Sequence, residues 1–112
     1  MPKSADTSAR IRELNDGFRR TFIGGQVMLT AGVDTLPDAD KAVLLDKVRN
    51  FDGFNGDNDP YGEHDFVNVE HDGEKYFAKL DYYAADMDGG SEDPSDPSKT
   101  VRVLTIMRAD EY

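Results

Sequence analysis

The stretch "FVNVEHDGEKYFAKLDYY", residues 66–83, limits what this chain can fold into more than any other. Asp72-Gly73 separates two runs rich in β-branched and aromatic residues. A two-residue turn of this kind needs positive φ at both central positions, which favours Asp-Gly. Facing residues then have numbers that sum to 145. Val69 faces Tyr76 and Val67 faces Ala78, with Leu80 and Tyr82 continuing that side. Across the sheet Glu70 meets Lys75, Asn68 meets Phe77 and Phe66 meets Lys79. One face is apolar and the other is charge-paired, as a half-buried antiparallel sheet requires.

The other elements follow from periodicity. Ile11, Leu14, Phe18 and Phe22 form one face of an amphipathic helix, with Asp6 or Thr7 as its cap and Gly24-Gly25 as its stop. "QVMLTAGV" places Val27, Leu29, Ala31 and Val33 on one face at period 2, a strand pattern. "TLPDADKAVLLDKVRNFDG" predicts a second helix, with Pro37 near its start and Gly53 past its end. Asp38 and Asp40 in its first turn and Lys47 and Arg49 in its last complement the helix dipole, and Leu44, Leu45, Val48 and Phe51 form its buried stripe. "TVRVLTIMR" is apolar on both faces in its middle, which suggests a central or doubly covered strand. Residues 84–98 carry Asp-Pro-Ser twice and no basic side chain, and read as a flexible acidic loop. The order α-β-α-β-β-β predicts one α+β domain over 1–112, with two helices packed on one face of a mostly antiparallel four-stranded sheet.

Composition narrows the chemistry. The chain has no cysteine, which excludes disulfides, thiolate metal sites and a cysteine nucleophile. Its apolar runs are a few residues long, against roughly 20 for a membrane helix. The start, "MPKSADTSAR", lacks a signal peptide's apolar core. A cytoplasmic protein without membrane contacts is expected. The net charge is −10, unevenly spread: residues 1–33 hold five basic and three acidic side chains, and the remainder 8 basic and 20 acidic. A field of that sign repels DNA and attracts basic surfaces, so direct DNA binding is not expected. Arg12, Arg19 and Arg20 on the first helix read as a solvated face.

"DNDPYGEHD", residues 57–65, is the densest chemical feature. Neither possible frame matches a calcium loop, whose position 12 must be a bidentate carboxylate. Asp57, Asp59, Glu63 and Asp65 remain candidates for an irregular divalent-cation site. His64 and His71, seven apart, fall on opposite faces of one strand, a poor zinc spacing. If the hairpin extends past Phe66, its register sets His64 opposite Asp81, with Lys79 and Glu63 near, a pair suited to fixing the loop or to acid–base work. No nucleophile, glycine-rich phosphate cradle or G-x-S-x-G turn accompanies it, so no catalytic residue is assigned. A stiff, self-bonded turn built by Asx side chains, Pro60 and Gly62 explains the same composition. Phe54 and Tyr61 either join a binding surface or fold onto the core.

Ten of the 23 acids lie in 52–65 and 84–98, loops that the strand order allows at one end of the sheet. The leading expectation is a non-enzymatic protein, needing no cofactor, whose acidic pole engages a basic protein surface, such as that of a nucleic-acid-handling factor, as a decoy. Its candidate binding residues are Asp57, Asp59, Tyr61, Glu63, His64, Asp65 and Asp81. The alternative is a divalent-cation-binding protein or small metal-dependent enzyme using the same loop.

With "RIRELNDGFRRTFIGGQVMLTAGV", "DNDPYGEHDF", "KLDYY" and "VRVLTIMRADEY" in this order, the chain resembles the domain of unknown function 3768 proteins. These are short proteins of alphaproteobacteria, often carried on plasmids and other mobile DNA. The resemblance implies a bacterial accessory protein in a mobile-DNA context and transfers no catalytic role to any position.

Overall fold

The Asp-Gly hairpin forms in the expected register. In the computed structural model, which describes residues 5–112, β2 (Phe66–His71) and β3 (Glu74–Ala84) pair antiparallel from Phe66↔Lys79 to His71↔Glu74. Residues 1–4, and with them Lys3 and the first part of the leading segment, lie outside the described residues. Asp72 and Gly73 both adopt positive φ, 52° and 77°. Beyond the turn, β3 pairs antiparallel with β4 (Thr100–Arg108), and β4 pairs in parallel with β1 (Gly25–Leu29). The sheet order is therefore β1-β4-β3-β2, with β4 central. Val103 and Leu104 project from opposite faces of β4, and both are buried, which accounts for its unbroken apolar middle.

The helices α1 (Ala5–Thr21) and α3 (Asp38–Arg49) cover one face. Phe18 from α1 and Leu44 and Val48 from α3 pack on Val67, Tyr76, Ala78, Leu80, Leu104 and Ile106. Leu45, Phe51 and Phe22 flank that core, and the acidic first turn and basic last turn of α3 stand as the sequence requires. The result is the expected α+β domain with a mostly antiparallel four-stranded sheet.

Three local expectations change. Asp6 and Thr7 lie within the first turn of α1, not ahead of it. The helix ends at Thr21, where Phe22 turns to φ 59° and Thr21 Oγ1 accepts from the Ile23 N–H at 3.1 Å. Gly25 is not a stop but the first residue of β1. A Cβ there would lie 2.4 Å from the Arg102 carbonyl oxygen and 2.8 Å from the Phe18 ring, so only glycine lets strand and helix approach. β1 also stops at Leu29, and residues 31–34 form a short helix, α2 (Ala31–Asp34). The cause is a carboxylate from the far end of the chain. Glu111 accepts from the Thr30 hydroxyl (2.7 Å), the Gly32 N–H (3.0 Å) and the Arg108 N–H (2.9 Å), bending the chain off the ladder. Val33 still reaches the core, from a helical turn.

Candidate functional site

Loop 52–65 and the start of β4 meet α1 at one end of the sheet, and there the polar residues converge. Asn15, on the buried stripe of α1, uses its whole amide. Its Nδ2 donates to the Glu63 carbonyl (2.9 Å) and to the Tyr82 oxygen (2.8 Å), and its Oδ1 accepts from Arg102 Nε (2.8 Å). The Tyr82 hydroxyl in turn donates to Glu63 Oε1 at 3.0 Å. Asn15, Glu63 and Arg102 are all buried. A continuous relay thus runs from a carboxylate through a phenol and an amide to a guanidinium. Burial pushes the Tyr82 phenol far above its ordinary 10.0, against the opposing bond from Asn15 and with the Glu63 charge adding to the rise. Burial likewise holds the Arg102 guanidinium below its usual value, with the neighbouring Tyr82 opposing that shift.

A second group lies one turn further along α1. Arg19, fully buried, directs Nη1 at the carbonyls of Val48 (3.0 Å), Arg49 (2.9 Å) and Phe51 (3.1 Å), and Nη2 at Asp16 (3.0 Å). Those carbonyls are the open C-terminus of α3 and the chain leaving it, the orphan acceptors every helix must satisfy. A guanidinium suits them because its charge also opposes the negative end of the helix. Asp16 Oδ1 is shared with His64 Nδ1 at 2.8 Å. The His64 ring stacks on Phe54, with centroids 3.8 Å apart and planes 5° from parallel. The His64 backbone N–H donates to Asp59 Oδ1 at 3.1 Å, and Arg12 Nη1 donates to the Gly62 carbonyl at 3.0 Å. Arg12 and Arg19 are therefore tethers between α1 and its surroundings, and only Arg20 of the three is exposed.

The acidic loop divides into two sets. Asp59 and Glu63 are buried, Asp59 bracing the loop internally at His64 and Glu63 fastening it to α1 and β3 through Asn15 and Tyr82. Asp65 is half-buried, and its carbonyl accepts from the Leu80 N–H at 2.9 Å. Asp57 is exposed, and Tyr61 is 77 % exposed. Asn55 and Asn58 close the turn with bonds to their own backbone, Oδ1 of Asn55 accepting from the N–H groups of Asp57 and Asn58. Phe54 folds back onto the core and Tyr61 does not.

His64 and Asp81 are not brought together. β2 begins at Phe66, and His64 sits at φ 55°, left-handed backbone that ends strand geometry and aims the ring at α1. Asp81 lies on the opposite face of the sheet, 3.4 Å from Lys79. Nor do His64 and His71 lie on opposite faces of one strand, since both rings turn toward helices, to Asp16 and Asp40 respectively.

Asp57, Asp59, Glu63 and Asp65 do not converge on a point. Among the described residues the group that does is Asp40, His71 and Asp72. There the Lys47 ammonium lies 3.4 Å from His71 Nδ1 and donates to the Glu70 carbonyl at 2.7 Å. An ammonium offers only protons, so Nδ1 accepts and the ring proton is on Nε2, facing Asp40 at 2.9 Å. A metal-bound imidazole is arranged in the opposite sense, its free N–H pointing at an acceptor. The chemistry of this donor set fits a hydrogen-bonded pin between α3 and the hairpin, not a metal.

The repeated Asp-Pro-Ser of the second acidic loop has a structural meaning. In each copy the aspartate Oδ1 accepts from both the N–H and the hydroxyl of the serine two residues on, Asp93 from Ser95 and Asp96 from Ser98. Those bonds hold the Asp96 carboxyl below its ordinary value. Arg102 Nη2 ties the first of these turns to the relay through the Pro94 carbonyl.

Neither Asn15 nor Arg102 was singled out as a site residue, yet the sequence held a signal for each. Asn15 falls four residues from Ile11 and three from Phe18, on the core stripe. Arg102 shares a strand face with Leu104 and Ile106. Among the described residues no helix is long and apolar enough to cross a membrane. No curated protein and no solved structure matches the chain. A family model described as a protein of unknown function (DUF3768) matches residues 29–111, from the end of β1 through β4 to the C-terminal turn, and the chain belongs to that family.

Proposed function

We propose that this protein is a non-enzymatic binding protein whose acidic sheet end engages a basic protein surface. The observation that carries the reading is the division of labour within loop 52–65. Asp59 and Glu63 face inward and fasten the loop, so that Asp57 and Tyr61 are held outward on a braced support. Asp86, Asp88 and Glu92 extend the same end from the neighbouring loop, and all three are exposed. Fixed carboxylates beside an exposed aromatic ring suit a partner rich in arginine and lysine, because a braced array loses little side-chain entropy on binding. A surface that competes for such residues acts as a decoy toward nucleic-acid-handling factors. The family resemblance to mobile-DNA proteins gives that choice its motive.

The test is binding of the purified chain to a lysine-rich histone as probe, by biolayer interferometry over a salt series. Affinity is expected to fall steeply between about 50 and 300 mM NaCl, as screening shortens the reach of exposed charges. Binding that is unchanged across the series, or no binding at low salt, contradicts the proposal.

A further inference from the structure

We infer that β1 is a dimerisation edge, at which two copies of this chain pair antiparallel about a two-fold axis through Val27, joining their sheets into one. The inference does not rest on the acidic-end reading.

The two edges of the sheet are treated differently. β2 is guarded: Lys47 of α3 donates to the outward Glu70 carbonyl, Asp40 holds the His71 ring, and the exposed Glu70 carboxylate stands beside them. Inserted charge of this kind is how sheet edges are protected from further pairing. Among the described residues β1 has no such protection. From Phe22 to Val33 there is no charged side chain and no proline. The hydrophobic side chains of Ile23 and Met28 are 78 % and 52 % exposed.

The free backbone groups can be identified. The Thr30 N–H donates to the Ile106 carbonyl at 3.1 Å, and Leu29 is in register with Ile106. In a parallel ladder successive residues alternate sides, so Gln26, Met28 and Thr30 bond to β4. The N–H and C=O groups of Gly25, Val27 and Leu29 therefore face away from it, and among the described residues β1 has no neighbour on that side in the sheet order. Antiparallel pairing centred on Val27 sets Val27 against its own copy and Gly25 against Leu29. Each of those pairs exchanges both hydrogen bonds, which satisfies all the outward groups of both copies. The remaining pair, Gln26 with Met28, carries no like charges.

Charge selects a second copy as the occupant. A chain of net charge −10 repels itself through nearly any other surface. Residues 22–33, which hold β1 and its flanks, carry no charge at all, so this edge brings two copies together without like-charge contact. On the helix-free face, Met28 and Met87 border a groove of about 380 Å³ with Tyr83, Val103 and Thr105, next to the edge. Pairing brings the two Met28 side chains to the same seam and extends this apolar surface across it.

The test combines analytical ultracentrifugation of the full chain with residue-resolved amide exchange. A concentration-dependent dimer is expected, strengthened by NaCl, because screening relieves repulsion between like-charged copies. This is the opposite salt response to that expected for a basic partner, so the two proposals fail separately. In the dimer the Val27 and Leu29 amides should become protected, while Met28, already bonded to β4, is protected at every concentration. Met28→Glu enters the seam twice and should weaken the dimer about tenfold without altering the exposed residue's own fold. Val27→Pro, which removes an outward N–H and leaves the β4 bonds, should do the same. A monomer at all concentrations overturns the inference. So does a dimer in which Val27 and Leu29 exchange freely, or protection of Val27 that appears only when another protein is added.

Discussion

Replacing Arg19 with methionine tests whether α1 is fastened through the end of α3. The substitution keeps most of the side chain's length and apolar stem, and it removes a guanidinium that has no exposure to water. Three carbonyls of the α3 terminus lose their shared donor, and Asp16 loses a partner at 3.0 Å. Hydrogen bonds to charged groups contribute about 1.5–3 kcal/mol each, but they are not additive around one atom. Breaking a buried charged pair by removing one partner costs about 3–5 kcal/mol, and that range applies here. A domain of this size has a margin of about 5–15 kcal/mol, so the midpoint should fall by roughly 10–25 °C. The chain has no tryptophan, so urea and thermal unfolding are best followed by far-ultraviolet circular dichroism. Arg19→Lys should recover only part of the loss, because a compact ammonium cannot span three carbonyls and a carboxylate as the planar fork does. A loss below about 1 kcal/mol for Arg19→Met, typical of an exposed ion pair, would refute the reasoning.

Other outcomes follow from the same geometry. Because burial raises the folded-state value of Tyr82, the unfolded chain releases that proton first. Its contribution is therefore complete below 10.0 and declines as pH rises beyond it. Absorbance titration should show a component that resists ionisation until alkaline unfolding, and Tyr82→Phe should reduce that component by one tyrosine. Glu111 has the opposite sign. Its backbone bond to Arg108, first among its contacts, lowers its folded value below the ordinary 4.5. Its contribution is present above 4.5 and is lost as pH falls through the folded value. Glu111→Gln should flatten the acid limb of a melting-temperature profile and raise exchange at the Gly32 amide. Thermal melts with EDTA, Ca²⁺, Mg²⁺, Mn²⁺ or Zn²⁺ should give no shift beyond that of NaCl at matched ionic strength. A cation at 100 times its dissociation constant would add about 2.7 kcal/mol, which is readily seen.

The legibility of the chain tracks how local each determinant is. Asp72-Gly73 carries its turn geometry in two residues, so pairing down to Phe66↔Lys79 could be read directly. The central place of β4 was visible in Val103 and Leu104. By contrast, β1 read as running to Val33 because period 2 persists there. The carboxylate that stops it, Glu111, is 81 residues from Thr30. The acidic loop misled in the same way. Composition marked Asp59 and Glu63 as surface charge, but Asp59 turns inward to His64 of its own loop and Glu63 finds its partners on α1 and β3, which only the fold brings into reach. His64 was assigned to an extended strand although left-handed backbone at 64 already ends it. The most informative signals were polar residues at core spacing, Asn15 on the α1 stripe and Arg102 on the buried side of β4.

The central claim, that a particular end of the sheet is the binding surface, is tested most directly by moving one charge change between its two ends. D57N/D86N/D88N neutralises exposed acids of the loops beside β2 and β3. D34N/D38N/D72N neutralises the same number of exposed acids at the opposite end, after β1, at the start of α3 and in the hairpin turn. Both variants have the same net charge, and neither touches Asp59, Glu63 or the relay. Affinity for the histone probe should fall at least tenfold more in the first variant than in the second, with both melting near the parent. Equal losses would mean that net charge alone attracts the probe, and the assignment of a binding end would be wrong.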